Sequence, residues 1–211
     1  MCGKPLIAYT IEAALGSYFI GRTVVSTEDE EIAKIAREYG AEVVERPLEL
    51  AGDNVLIQPV LEQVVNKLAE DGYEPDFIVL LNPTSPLREI EDVTKAIYCF
   101  ICGGNDSMIS VFMTDYVCLW THNDDGTFSA NYDFENKTRR QEMPKHYQEN
   151  GAIYIFKRGL LLKKHHFLGG NIAMFPMPAS RSIDIDSELD FIMAEAVMNE
   201  RNAYTINKSK V

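Results

Sequence analysis

Five consecutive apolar residues, Phe77-Ile78-Val79-Leu80-Leu81, run directly into Asn82-Pro83-Thr84-Ser85-Pro86-Leu87-Arg88. No other stretch restricts the fold as much. A continuous apolar run, β-branched at Ile78 and Val79, suits a strand buried on both faces of a parallel sheet. Pro83 ends it, because proline has no N–H to give to a ladder. Two prolines then stiffen a turn carrying the hydroxyls of Thr84 and Ser85 and free backbone N–H groups. In open α/β sheets, ligands bind at the carboxyl ends of strands. An ordinary strand-to-helix loop would read the same way.

The rest of the chain alternates helix and strand signals around that strand. Lys4 to Gly16 has apolar residues at helical spacing, with Pro5 in the first turn and Gly16 just past the end. A short strand, Thr23 to Ser26, precedes a capping-box signal at Thr27-Glu28-Asp29-Glu30 and a helix turning Ile32, Ile35, Ala36 and Tyr39 inward. Then follow a strand Glu42 to Glu45, a loop Leu48 to Asn54, a helix Gln58 to Glu70, the central strand, a helix Val93 to Cys102 and a strand Ser107 to Met113. Strands separated by such helices are βαβ units of a Rossmann-like, mostly parallel α/β sheet. Between Thr114 and Glu149 the pattern breaks into polar, turn-rich sequence with a hairpin about Asn123-Asp124-Asp125-Gly126. Such an insertion is either a surface loop or an oligomer contact, and its aromatics Trp120, Phe128, Tyr132 and Phe134 favour the contact. A strand Gly151 to Phe156, a helix Leu160 to Lys164, a strand Ile172 to Phe175 and a helix Glu188 to Asn199 capped by Ser187 complete a single domain of 211 residues.

Acidic residues outnumber basic ones by 32 − 20 = 12, which disfavours nucleic acid or an anionic membrane as the main partner. A nucleotide is still allowed, because a few local arginines hold phosphates. The sequence contains neither an apolar run of about 20 residues nor a basic-then-apolar leader, so a cytoplasmic protein is expected. Cys99 and Cys102 have CxxC spacing in an apolar segment without a second pair to complete a zinc site, and are expected to be buried.

Asp184 and Asp186 are two apart in Ser182-Ile183-Asp184-Ile185-Asp186, which in extended chain puts both carboxylates on one face. Such a pair suits magnesium, which takes one or two carboxylates and completes its shell with water and phosphates. Alternatively, one carboxylate caps the following helix and the other is solvated. Arg46 at a strand end, Arg88 after the central turn, and Arg139-Arg140 have the planar fork that grips phosphate or carboxylate. Neither GxGxxG, GxxxxGK[ST] nor GxSxG is present, which disfavours a dinucleotide dehydrogenase, a P-loop NTPase and an α/β-hydrolase.

Gly3-Lys4-Pro5-Leu6-Ile7, Ser26-Thr27-Glu28-Asp29-Glu30-Glu31-Ile32-Ala33, Arg46-Pro47, Asn82-Pro83-Thr84-Ser85-Pro86-Leu87-Arg88, Asn150-Gly151-Ala152-Ile153-Tyr154 and Ile183-Asp184-Ile185-Asp186 occur in that order along almost the whole chain. Taken together, this succession resembles the acylneuraminate cytidylyltransferases, or CMP-sialic acid synthetases. The resemblance implies a nucleotide-diphospho-sugar transferase fold, with 114–149 as an inserted dimerisation subdomain of a homodimer. It implies transfer of CMP from CTP to a sialic-type nonulosonic acid with release of pyrophosphate. Arg46, Pro83 and Thr84 would then contact the nucleotide. Asn82, Ser85, Arg140 and Asn150 would contact the sugar or phosphates. Asp184 and Asp186 would bind Mg2+, and with Arg140 they would form the catalytic set. The resemblance leaves the group that takes the hydroxyl proton unassigned.

The chain departs from the family twice. Asn82 stands where the family has glutamine. The family's leading strand and glycine- and basic-rich loop, which would precede the first helix, have no counterpart. The sheet should therefore lack a central strand, and a triphosphate should lack its main cradle. Two further functions stay open: a catalytically silent relative serving as a binding or interaction module, and an enzyme for another acid such as legionaminic acid.

Overall fold

The structure, a computed structural model, describes residues 1–114, 118–136, 139, 142 and 145–208, the side chains of 204–208 excepted. Among the described residues the strands form three sheets. β3 (Phe77–Leu80), β7 (His146–Lys157), β4 (Ser107–Thr114) and β8 (Ile172–Met177) make a four-stranded sheet in that spatial order. β7 runs antiparallel to β3 and β4, while β8 is parallel to β4. Three of the four strands therefore share one direction, and β7, which the alternation predicts as one more parallel strand, opposes them. β1 (Val24–Thr27) and β2 (Glu42–Glu45) form a parallel pair. β5 (Trp120–His122) and β6 (Phe128–Ala130) form the expected hairpin.

Side-chain alternation along β3 explains how both faces of the large sheet are covered. Phe77 and Val79 pack with Val93, Ala96, Ile97 and Phe100 of α4 (Ile90–Cys102). Ile78 and Leu80 join Val65 of α3 (Ile57–Glu70) and Leu161 of α5 (Arg158–Lys164) on the opposite face. α1 (Leu6–Leu15) and α2 (Glu30–Glu38) lie over the small pair, where Ile11, Ala36, Val25 and Val43 meet. α6 (Glu188–Lys208) covers the central turn through Ala194 and Met198 against Leu87.

Asp29 caps α2, its carboxylate accepting from the Ile32 N–H at 2.9 Å. Asp29→Ala is expected to cost about 1 kcal/mol in chemical denaturation, the usual value of an N-cap. Two sequence expectations fail here. Ile32 is exposed, while α2 buries Ala33 along with the expected Ala36. Cys99 and Cys102 are also exposed, because α4 turns Ala96, Ile97 and Phe100 inward and leaves the i+2 and i+5 positions after Ile97 outside.

The β1–β2 pair and the four-stranded sheet each leave one edge facing the other. β1 is paired with β2 and β3 with β7, and a cleft of about 650 Å³ separates β1 from β3. Ile11 and Ala14 of α1 and Val60 and Val64 of α3 line it, so it is apolar on both faces. At its lower end the Arg22 guanidinium lies 4.8 Å over the Tyr73 ring, linking the starts of the two strands. None of the described helices is long and apolar enough to cross a membrane.

Candidate active site

The sheet is interrupted where the site is built. Opposite Ser110 the β4–β7 register breaks, Ile109 pairing with Tyr154 and Val111 with Glu149. The extra residues form a bulge in β7 at 150–153, a device that redirects side chains next to functional sites. Its buried polar groups are satisfied locally. The Asn150 carboxamide oxygen accepts from Ser110 Oγ at 2.6 Å and from the Ala152 N–H at 3.2 Å, and its Nδ2 donates to Ser182 Oγ at 2.9 Å. Ser110 Oγ also accepts from the Ile153 N–H at 2.7 Å. The Asn150 side chain, 3% exposed, therefore shapes the bulge rather than facing the opening.

Gly151 follows with φ +67°. A Cβ there would lie 2.6 Å from Asp184 Oδ2 and 3.6 Å from Asn82 Nδ2. Glycine is required on both counts: the left-handed backbone, and the space that the Asp184 carboxylate occupies. Asn82 from the end of β3 and Asp184 from the segment before α6 thus converge over one glycine.

The proline-bracketed turn is tied to the same point. The Thr84 carbonyl accepts from the Ile185 N–H at 2.9 Å. Ser85 is fully buried, with its Oγ 3.3 Å from the Asn150 carbonyl and 3.4 Å from Asp184 Oδ1. Its hydroxyl links the turn, the bulge and the carboxylate. Pro83 is exposed and Thr84 half-buried, so these two form the accessible part of the turn. Before Asp184, Arg181 makes a two-pronged ion pair with buried Asp92 of α4, at 2.6 and 2.8 Å. Asp92 also accepts from the Glu89 N–H in the capping box of α4. Asp92→Ala is expected to lower stability by about 2 kcal/mol, below the full cost of breaking a buried pair because Arg181 keeps some access to water.

Asp184 is half-buried and Asp186 exposed, and neither has a Lys or Arg within ion-pair distance among the described residues. Ser187 and Asp190, not Asp186, make the reciprocal cap of α6: Asp190 accepts from the Ser187 N–H at 2.9 Å, and Ser187 Oγ accepts from the Asp190 N–H at 3.3 Å. This leaves both predicted carboxylates uncommitted to helix capping. Hard oxygen donors, one of them fitted into the space above Gly151, suit magnesium. Burial of Tyr154, together with the nearby Glu149 and Asp184 carboxylates, raises its phenol above the usual range.

Arg46 and Arg88 have different fates. Arg46 lines the cleft and is half-buried, and its Nη2 donates to the Ser26 carbonyl at 2.5 Å with Glu28 at 3.6 Å. Asn82 and Pro83 border the same cleft from β3. Arg88 is 5% exposed and donates to protein oxygens, so it is not available to a phosphate. Arg140 lies outside the described residues. The sequence reading missed Ser110, Ser182 and Thr10, since buried hydroxyls carry no pattern of their own. Gly151 was read as the start of a strand and as part of the Asn150–Tyr154 motif, while a glycine within a strand is also a usual mark of a bulge or a close approach.

A cytidylyltransferase family model matches residues 1–208. The chain belongs to the cytidylyltransferase family. This cytidylyltransferase is thereby an enzyme of the nucleotidyltransferase class. It is 36% identical over 203 residues to post-translational flagellin modification protein B of Campylobacter coli, covering 93% of this chain and 85% of that protein. It is 34% identical to the CMP-N,N'-diacetyllegionaminic acid synthase of Campylobacter jejuni, with the same coverage of both chains. To the N-acylneuraminate cytidylyltransferase of Escherichia coli it is 31% identical over 216 residues, spanning 97% of this chain but 48% of that longer protein. Among solved structures it superposes on a CMP:2-keto-3-deoxy-manno-octonic acid synthetase complexed with CTP, with a TM-score of 0.66. That match, at 17% identity and covering 93% of this chain and 89% of the other, supports the α/β fold alone.

Proposed function

We propose that this cytidylyltransferase activates a sialic-type nonulosonic acid with CTP, giving the CMP-sugar and pyrophosphate. The observation carrying the proposal is the convergence of Asn82 and Asp184 over Gly151, beside a cleft bordered by Arg46, at the carboxyl end of β3. A sugar hydroxyl oxygen attacks the α-phosphorus of CTP, the bond to the pyrophosphate oxygen breaks, and the hydroxyl proton is released. Asn82 presents a neutral amide to the sugar. Pro83 and Thr84 form the accessible wall for the nucleotide, and Arg46 offers its remaining donors to it. Arg140 is expected to contact phosphate or sugar through the family resemblance alone. Ser85 and Asn150 act from beneath the surface, holding the turn and the bulge. Asp184 and Asp186 would hold Mg2+, which when bound neutralises charge on the phosphate oxygens and the departing pyrophosphate. Most of the rate would come from positioning and fixed charge.

The cleft supports a further part of the reading. Two strand edges face each other across a space lined by helices on both sides, which suits one more extended, continuously apolar strand. We place there a strand joined to the start of α1 by the loop that would cradle the triphosphate. The protein carrying that strand is expected to bind less of a hydrophobic dye and to unfold at higher denaturant. Equal dye binding with and without it would contradict the placement. The open cleft is also what favours the second reading, a silent binding module.

The hairpin exposes Leu119, Trp120, Phe128 and Phe134, and we assign this face to a homodimer in the cytoplasm. Gel filtration checks the assignment, with Trp120→Asp expected to give monomers; an unchanged elution volume would refute it. The reaction itself is tested by mass spectrometry of products formed from CTP, Mg2+ and a panel of nonulosonic acids. A CMP-sugar from at least one sialic-type acid is expected, and nucleotide transfer only to unrelated sugars would overturn the substrate class.

A further inference from the structure

Beneath Asn82 lies a guanidinium that the chemistry above does not use. Arg88 Nη1 donates to the Ala152 carbonyl at 2.6 Å and to the Asn82 carbonyl at 3.3 Å. Its Nη2 donates to Thr10 Oγ1 at 2.8 Å and lies 3.4 Å from the same Asn82 carbonyl. Thr10 Oγ1 in turn donates to that carbonyl at 3.4 Å. One side chain therefore joins the end of β3, the far side of the β7 bulge and α1. No carboxylate lies within ion-pair distance of it among the described residues, and its Nε has no partner. Burial lowers its pKa to about 10, partly offset by the Asp92 and Asp184 charges, so it is a buried cation at neutral pH.

A buried charge without a direct counter-ion costs stability. It is tolerated here because the planar fork bridges elements that no neutral side chain of that reach would hold. The two carbonyls it grips belong to Asn82 itself and to the residue immediately after Gly151. These are the backbone points on either side of the place where the Asn82 amide and the Asp184 carboxylate meet. We infer that Arg88 is a positioning residue: it fixes the spacing of the Asn82 amide and the Asp184 carboxylate over Gly151, without touching substrate. Its effect on turnover rests on the function proposed above; its effect on the backbone does not.

The test is Arg88→Lys, which keeps the charge but loses the fork, alongside Thr10→Val, which removes one anchor. Turnover of the acid substrate by Arg88→Lys is expected to fall about 30- to 100-fold, because displacing reacting groups by about 1 Å costs that order. KM for CTP should change less than about threefold, and Thr10→Val should fall between the two. Amide exchange should accelerate at 82–86 and 150–153 while α3 keeps its protection. Wild-type kcat together with unchanged local exchange in Arg88→Lys would overturn the inference, as would exchange rising equally throughout the chain. If the unaltered protein makes no CMP-sugar, the functional reading fails, while the exchange comparison still decides whether Arg88 fixes these segments.

Discussion

Gly151→Ala is expected to remove most of the activity while leaving a folded protein. Two costs are introduced together. The left-handed backbone at φ +67° is worth roughly 1–2 kcal/mol against a residue with a Cβ. The new methyl would sit 2.6 Å from Asp184 Oδ2, and ordinary contact begins near 3.4 Å, so the carboxylate must retreat by about 0.8 Å. Ser85 Oγ and the Ile185–Thr84 backbone bond hold that segment from the other side, so the retreat cannot be absorbed freely. A displacement of this size at a reacting centre is worth about 10²-fold in rate. Steady-state kinetics and urea unfolding on the same sample separate the two effects. Activity within threefold of the parent would show that Asp184 has no positional role.

Asp184→Asn and Asp186→Asn carry the largest expected loss, about 10²-fold or more in magnesium-dependent turnover. The amide keeps the shape and the ability to accept from Ser85, and removes the charge that would bind the cation. Asp186 is exposed, so its replacement should leave stability within about 0.5 kcal/mol. Raising Mg2+ should recover part of the lost rate in Asp186→Asn if the carboxylate is a ligand. Undiminished turnover at ordinary Mg2+ in both variants would remove the metal assignment.

Much of this was legible in the residues. The apolar run 77–81 gave the strand β3 and its two-faced packing, since its two sets of side chains pack on opposite helices, but not its place: β3 is half-buried at the edge of its sheet and pairs with antiparallel β7. Asn123-Asp124-Asp125-Gly126 marked its hairpin, and Ser187 its helix cap. The antiparallel course of β7 was not legible. Strand direction follows from connections across the sheet, and the turn-rich stretch before β7 hides whether the chain crosses over or doubles back. Nor could the sequence separate Arg46, which borders the cleft, from Arg88, which is buried under the turn. The two arginines look alike until packing shows that Leu87 and Arg88 go under α6 and the bulge. Asn150 and Ser85 carried family signatures that suggested substrate contact, while their side chains are spent on the bulge itself.

The central claim is that this cytidylyltransferase couples CTP to a nonulosonic acid, and acid-dependent pyrophosphate release tests it most directly. The measurement uses the protein carrying the proposed leading strand, with CTP, Mg2+ and each acid in turn. Release is expected only when a sialic-type acid is present, in a one-to-one ratio with CMP-sugar, and it should be lost in Asp184→Asn. No release with any acid, or release that ignores the acid, would contradict the account.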